Sequence, residues 1–113
     1  MKIWLDDLRD PKDYGHDDAI WFKNSDQFIE FLEDPNKMYR RVTEWHFDND
    51  LGEDSKEGYR CLEMLEEKLV FGKPILYPAV LFVHTSNPSA AQKFMAAKEV
   101  FKRYGIEILR NNY

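Results

Sequence analysis

Apolar residues gather along this chain in short runs and helical stripes, parted by segments rich in Asp, Asn, Pro and Gly. Lys2 to Leu5 (KIWL) predicts a short buried strand, and the polar segment DDLRDPKDYGHDD behind it predicts a loop with no room for a helix. Ala19 to Lys23 (AIWFK) predicts a second strand, whose direction the pattern leaves open. Asn24 or Ser25 can then cap a helix with Phe28, Ile29, Phe31 and Leu32 on one face, stopped by Asp34-Pro35-Asn36. Val42 to Phe47 predicts a third strand and GEDSKEG a polar loop. After Gly58, residues Tyr59, Leu62, Leu65 and Leu69 recur at helical spacing, with Cys61 and Met64 packing beside them. Pro78 to Val83 (PAVLFV) is apolar without alternation, as a central parallel strand covered on both faces must be. Asn87 as N-cap and Pro88 at the first helical position begin one helix through Ala90, Phe94, Ala97, Phe101 and Tyr104, ended by Gly105. Ile106 to Leu109 is the last strand.

The order ββαβαβαβ predicts an α/β sheet of five mostly parallel strands with helices on both faces. At 113 residues the chain is expected to be one domain, residues 1–113. No apolar run approaches the ~18 residues of a membrane span, and the N-terminal apolar run, short and flanked by acid, is no signal peptide. A single cysteine, Cys61, forms no internal disulfide and offers no paired zinc spacing, so the expected location is cytoplasmic. A net charge of −5 argues against duplex DNA as a partner. The charge is uneven: residues 1–58 carry 8 basic and 16 acidic side chains, residues 59–113 carry 8 and 5. The acidic half can serve a divalent cation.

In an open parallel sheet, ligands bind beyond the carboxyl ends of the strands. Strand one ends there in Asp6 and Asp7, strand three in Asp48 and Asp50, strand four in His84 and Thr85. If these three strands are neighbours, the groups share one cleft. Aspartates also initiate loops by bonding nearby amides, which is the plainer reading of Asp10, Asp13, Asp17 and Asp18. Asp6, Asp7 and Asp48 together suit a hard cation, Mg²⁺ first among them. His84 can exchange protons near neutral pH. His16 and His46 read as surface or edge residues, although His46, two before Asp48, can face the same side. Arg9 and the amides of the helix starting at Asn87 and Pro88 can hold a phosphate. Trp4, Trp21, Trp45, Phe22 and Phe47 read as core rather than as stacking surfaces for a base.

These residues resemble the receiver domain of two-component response regulators, with Asp48 at the phospho-acceptor position and Asp6 and Asp7 as the Mg²⁺ pair. The departures are the missing first helix, His84-Thr85 in place of a simple Thr/Ser, and no lysine after strand five, where Arg110 is the nearest cation. A closer similarity is to the cyclic-phosphate processing receiver domain family. Its three motifs appear as DDLR (Asp6 to Arg9), DNDLG (Asp48 to Gly52) and HTSNP (His84 to Pro88), with Asn49 where the family has histidine and Thr85 where it has serine. The resemblance implies a receiver-like (flavodoxin-like) three-layer sandwich lacking its first helix. It also implies phosphoesterase-like hydrolysis of a cyclic phosphate, either a cyclic nucleotide or an RNA 2′,3′-cyclic phosphate end. In that reading Asp48, His84, Arg9, Asp50 and Thr85 are catalytic, Arg9 and Asn87 bind substrate, and Asp6, Asp7 and Asp48 hold the metal. The alternatives are a catalytically degenerate receiver-like binding module without phospho-switching, and phospho-acceptance at Asp48. A haloacid-dehalogenase-like phosphatase, suggested by Asp48-x-Asp50, lacks its downstream threonine and lysine motif.

Overall fold

The computed structural model describes residues 1–48, 57–85 and 88–111. Five strands, β1 (Lys2–Leu5), β2 (Ile20–Phe22), β3 (Glu44–Asp48), β4 (Ala79–His84) and β5 (Ile106–Asn111), form one sheet in the order β2-β1-β3-β4-β5. Every pairing is parallel, including that of β2 with β1, the one direction the pattern left open. Among the described residues four α-helices join them: α1 (Ser25–Glu33), α2 (Glu57–Phe71), α3 (Pro88–Met95) and α4 (Lys98–Arg103).

Local chemistry sets the element ends. The Asn24 side chain accepts from the Gln27 amide at 2.9 Å, which satisfies an orphan donor of α1, and the Gln27 side chain reaches back past the cap to accept from the Lys23 amide at 2.8 Å. The third strand begins two residues later than expected. Met38–Arg41 forms a 3-10 turn that holds the Val42 amide to the Tyr39 carbonyl, and Val42 plugs the core instead of entering the sheet. The single helix expected after Asn87 is two: the Ala97 amide bonds the Phe94 carbonyl, three residues back, and this tighter turn separates α3 from α4. Phe94 and Phe101 still both reach the core. Gly105 ends α4 at φ +88, a left-handed conformation that glycine adopts without strain.

The two sheet faces differ in what covers them. Ile3, Leu5, Trp45, Phe47, Leu81, Val83, Ile106 and Ile108 point to one face, where they form the core with Phe28, Leu32, Leu62, Leu65, Phe94 and Phe101 from all four helices. The alternate residues, among them Trp4, Glu44, His46, Asp48, Phe82 and His84, occupy the opposite face. No α-helix covers that face among the described residues. The β1–β2 connection does, with a 3-10 turn at Pro11–Tyr14 that stacks Tyr14 on Trp4 at 5.7 Å between ring centroids. The step from β1 to β2 runs across the sheet opposite to the later steps, so a right-handed crossover must lie on the other face. Its polar sequence lacks the apolar period of a helix, which leaves this third layer thin. The expectation of helices on both faces is corrected to that extent. The architecture is a receiver-like α/β fold with the first helix missing, consistent with a flavodoxin-like three-layer sandwich. Among the described residues no helix is long and apolar enough to cross a membrane.

Candidate functional site

At the carboxyl end of β1, Asp6 does two things at once. Its Oδ1 accepts from the Leu8 and Arg9 amides, both at 2.9 Å, which is the loop-initiating role aspartate commonly plays. Two tryptophans pin the same turn: Trp4 Nε1 donates to the Arg9 carbonyl and Trp21 Nε1 to the Asp6 carbonyl, each at 2.8 Å. The other oxygen, Oδ2, is buried and has no hydrogen-bond partner among the described residues; Arg9 Nη1 lies 3.9 Å away. A buried carboxylate oxygen left this way is costly unless something positive approaches it. Asp48, the last residue of β3, stands next to β1 in the sheet, and carboxylate oxygens of Asp6, Asp7 and Asp48 lie within 4.8 Å of one another. This all-oxygen set fits a hard divalent cation.

β4 brings its own polar end alongside, since His84 pairs with Asp48 in the sheet register. Thr85 is buried; its amide bonds the Asn111 carbonyl at 3.3 Å, and its carbonyl accepts from Arg110 Nε at 3.3 Å. Arg110, the cation nearest the place where response-regulator receivers carry a lysine, is thus bound to backbone. Asn49, Asp50 and Asn87 lie outside the described residues.

The histidines differ most from the sequence reading. His46 is neither surface nor edge: it is 2 % exposed, as is His84. Its Nδ1 lies 2.7 Å from His84 Nε2 and its Nε2 lies 2.7 Å from Glu44 Oε1, so a continuous chain runs along the face from Glu44 through His46 to His84. His16 is also drawn in, with its ring 4.5 Å from that of His46 and 5.5 Å from that of Trp4. The strand period gave a signal for part of this, because Glu44, His46 and Asp48 alternate onto one face. His16 carried none, since only the folding of the β1–β2 connection over Trp4 brings it near.

Burial, the nearby His46 and the charge of Arg9 push the His84 imidazole down to about 3. His46 is lowered too, because burial outweighs its hydrogen bond to Glu44. Both rings are therefore neutral at pH 7, which fixes the proton order. When His46 Nε2–H donates to Glu44, His46 Nδ1 is bare and accepts from His84 Nε2–H, which leaves the lone pair of His84 on Nδ1.

The family model described as a cyclic-phosphate processing receiver domain matches residues 1–99. No curated protein and no solved structure matches the chain significantly.

Proposed function

The chain belongs to the cyclic-phosphate processing receiver domain family, and on that premise we propose that it hydrolyses a cyclic phosphodiester in the cleft at the carboxyl ends of β1, β3 and β4. The substrate class is a cyclic nucleotide or an RNA 2′,3′-cyclic phosphate end. The observation that carries this reading is the buried Asp6 oxygen without a hydrogen bond among the described residues, converging with Asp7 and Asp48 beside an in-register His84.

Asp6, Asp7 and Asp48 would hold Mg²⁺, whose chemistry there is to neutralise phosphate charge and polarise a water. Arg9 supplies the second positive charge toward the phosphate; the substrate-binding role that the family resemblance implies for Asn87 lies outside the described residues. Asp48 takes a proton from the attacking water, and the water oxygen forms the new bond to phosphorus. One ring P–O bond breaks, and the departing oxygen takes a proton from His84, giving an opened phosphomonoester. Burial keeps His84 neutral; the negative charge of a bound phosphate favours the imidazolium that burial otherwise opposes. Thr85 orients these groups, and the matching role that the family resemblance implies for Asp50 lies outside the described residues.

The test is incubation of the purified protein, with and without Mg²⁺, against cyclic nucleotides and 2′,3′-cyclic phosphate RNA ends, followed by mass spectrometry. Gain of one water by a substrate, lost in Asp6→Ala and His84→Ala, is the expected result. No product from any substrate overturns the enzyme reading. Saturable binding without product would favour the second reading, a binding module, for which Asn49 in place of the family's histidine is the supporting observation.

A further inference from the structure

We propose that His16, Glu44 and His46 form a second metal site, separate from the aspartate cluster, that takes one divalent ion of the zinc class. The three residues each offer a ligand atom, and these atoms lie within 4.8 Å of one another. Two imidazoles and one carboxylate are the donor set of a borderline-soft ion with an open fourth position, whereas Asp6, Asp7 and Asp48 offer only hard oxygen.

The hydrogen bond between Glu44 and His46 accounts for two members of the cluster without an ion. It does not account for His16. His16 Nδ1 is buried without a hydrogen-bond partner among the described residues, and it sits 3.9 Å from Glu44 Oε1. A buried ring nitrogen facing a carboxylate beyond hydrogen-bond reach leaves room for something between them.

The spacings suit an ion. Zinc–ligand distances near 2.0–2.1 Å in a tetrahedron separate the donors by roughly 3.3 Å. The present separations from Glu44 Oε1 are 2.7 Å to His46 Nε2 and 3.9 Å to His16 Nδ1, on either side of that figure. Small side-chain rotations close the difference. The rings are held for the purpose: Trp4 packs against both His16 and His46, and His84 engages the ring nitrogen of His46 that would not bind the ion. Access is open, since the His16 and Glu44 side chains keep 19 % and 25 % of their surface in solvent. Lys2 Nζ opposes the site from 3.8 Å beyond Glu44 Oε2, but it lies closer, at 3.4 Å, to Asp18.

One consequence reaches the cleft. With the ion on His46 Nε2, the proton of that ring moves to Nδ1 and is donated to His84 Nε2, so the proton of neutral His84 moves to its own Nδ1. No proton is gained or lost, and His84 changes from acceptor to donor at Nδ1.

Chelator-stripped full-length protein in excess Mg²⁺ would be titrated with Co²⁺, followed by visible absorption and calorimetry, then challenged with Zn²⁺. The expected result is one equivalent of Co²⁺ with the intense bands of tetrahedral coordination, displaced by Zn²⁺ and retained in Asp7→Asn. His16→Ala and Glu44→Gln should each lose the bands while circular dichroism shows the fold unchanged. Absence of tetrahedral bands in the wild type, their persistence in His16→Ala, or their loss in Asp7→Asn overturns the proposal.

Discussion

His84→Gln tests the electrostatics of the buried histidine chain without any assumption about substrate. His84 titrates near 6.5 in an unfolded chain and at about 3 in the folded protein, mainly because burial disfavours its charged form. The unfolded chain therefore binds more protons between those values, so this contribution is fully present above about pH 6.5 and is lost as the pH falls toward 3. From pH 8 to pH 5 the loss from this residue is about 2 kcal/mol. That figure barely changes for any folded value well below 5, because at pH 5 the folded histidine is already neutral. With an unfolding entropy of ~2.1 cal/mol/K per residue, the melting temperature should drop by about 8 °C over this range on account of His84 alone. Glutamine can still donate to His46 but does not titrate. The assay is urea and thermal unfolding of wild type and His84→Gln at pH 8, 6.5 and 5, in chelator to keep metal out of both. The wild type should lose about 2 kcal/mol more than the variant between pH 8 and 5. His46, lowered in the same sense, leaves the variant a smaller slope of its own. Equal losses in the two proteins would refute the claim that His84 is buried neutral.

Phe28→Ala should cost about 3–5 kcal/mol in urea unfolding, because the ring is fully buried and lies edge-on against Phe47 and Trp45 at 5.2 and 6.1 Å. A cost below about 1 kcal/mol would mean that α1 does not close over this part of the sheet. Asn24→Ala should lower stability by about 1 kcal/mol by removing the cap on the Gln27 amide, and Asn24→Asp should restore most of it, both read by thermal melting.

Most of the fold was legible because its signals are local. The apolar run of β4, the Asn24 cap, the helical stripe of α2 and the glycine stop at Gly105 each declare themselves within a few residues. Where the reading missed, the deciding interaction was distant or geometric. Val42 left the third strand because the Met38–Arg41 turn, closed by a bond from the Arg40 amide to the Lys37 carbonyl, took its amide. The break between α3 and α4 has no glycine or proline to announce it. In the cleft, the acidic strand ends were visible as a pattern, while their convergence depended on β1, β3 and β4 being neighbours.

The sequence by itself determined the alternation of strands and helices, the apolar stripes that the helices turn to the core, and the carboxylates at the ends of β1 and β3. These follow from period, capping and composition, which act between near neighbours in the chain. Only the tertiary structure decided that the β1–β2 connection would lie across the second face, burying His46 and His84 and bringing His16 to Glu44. Parallel pairing and crossover handedness join residues far apart in sequence, and the polar connection between β1 and β2 carries no periodicity from which its docking could be read.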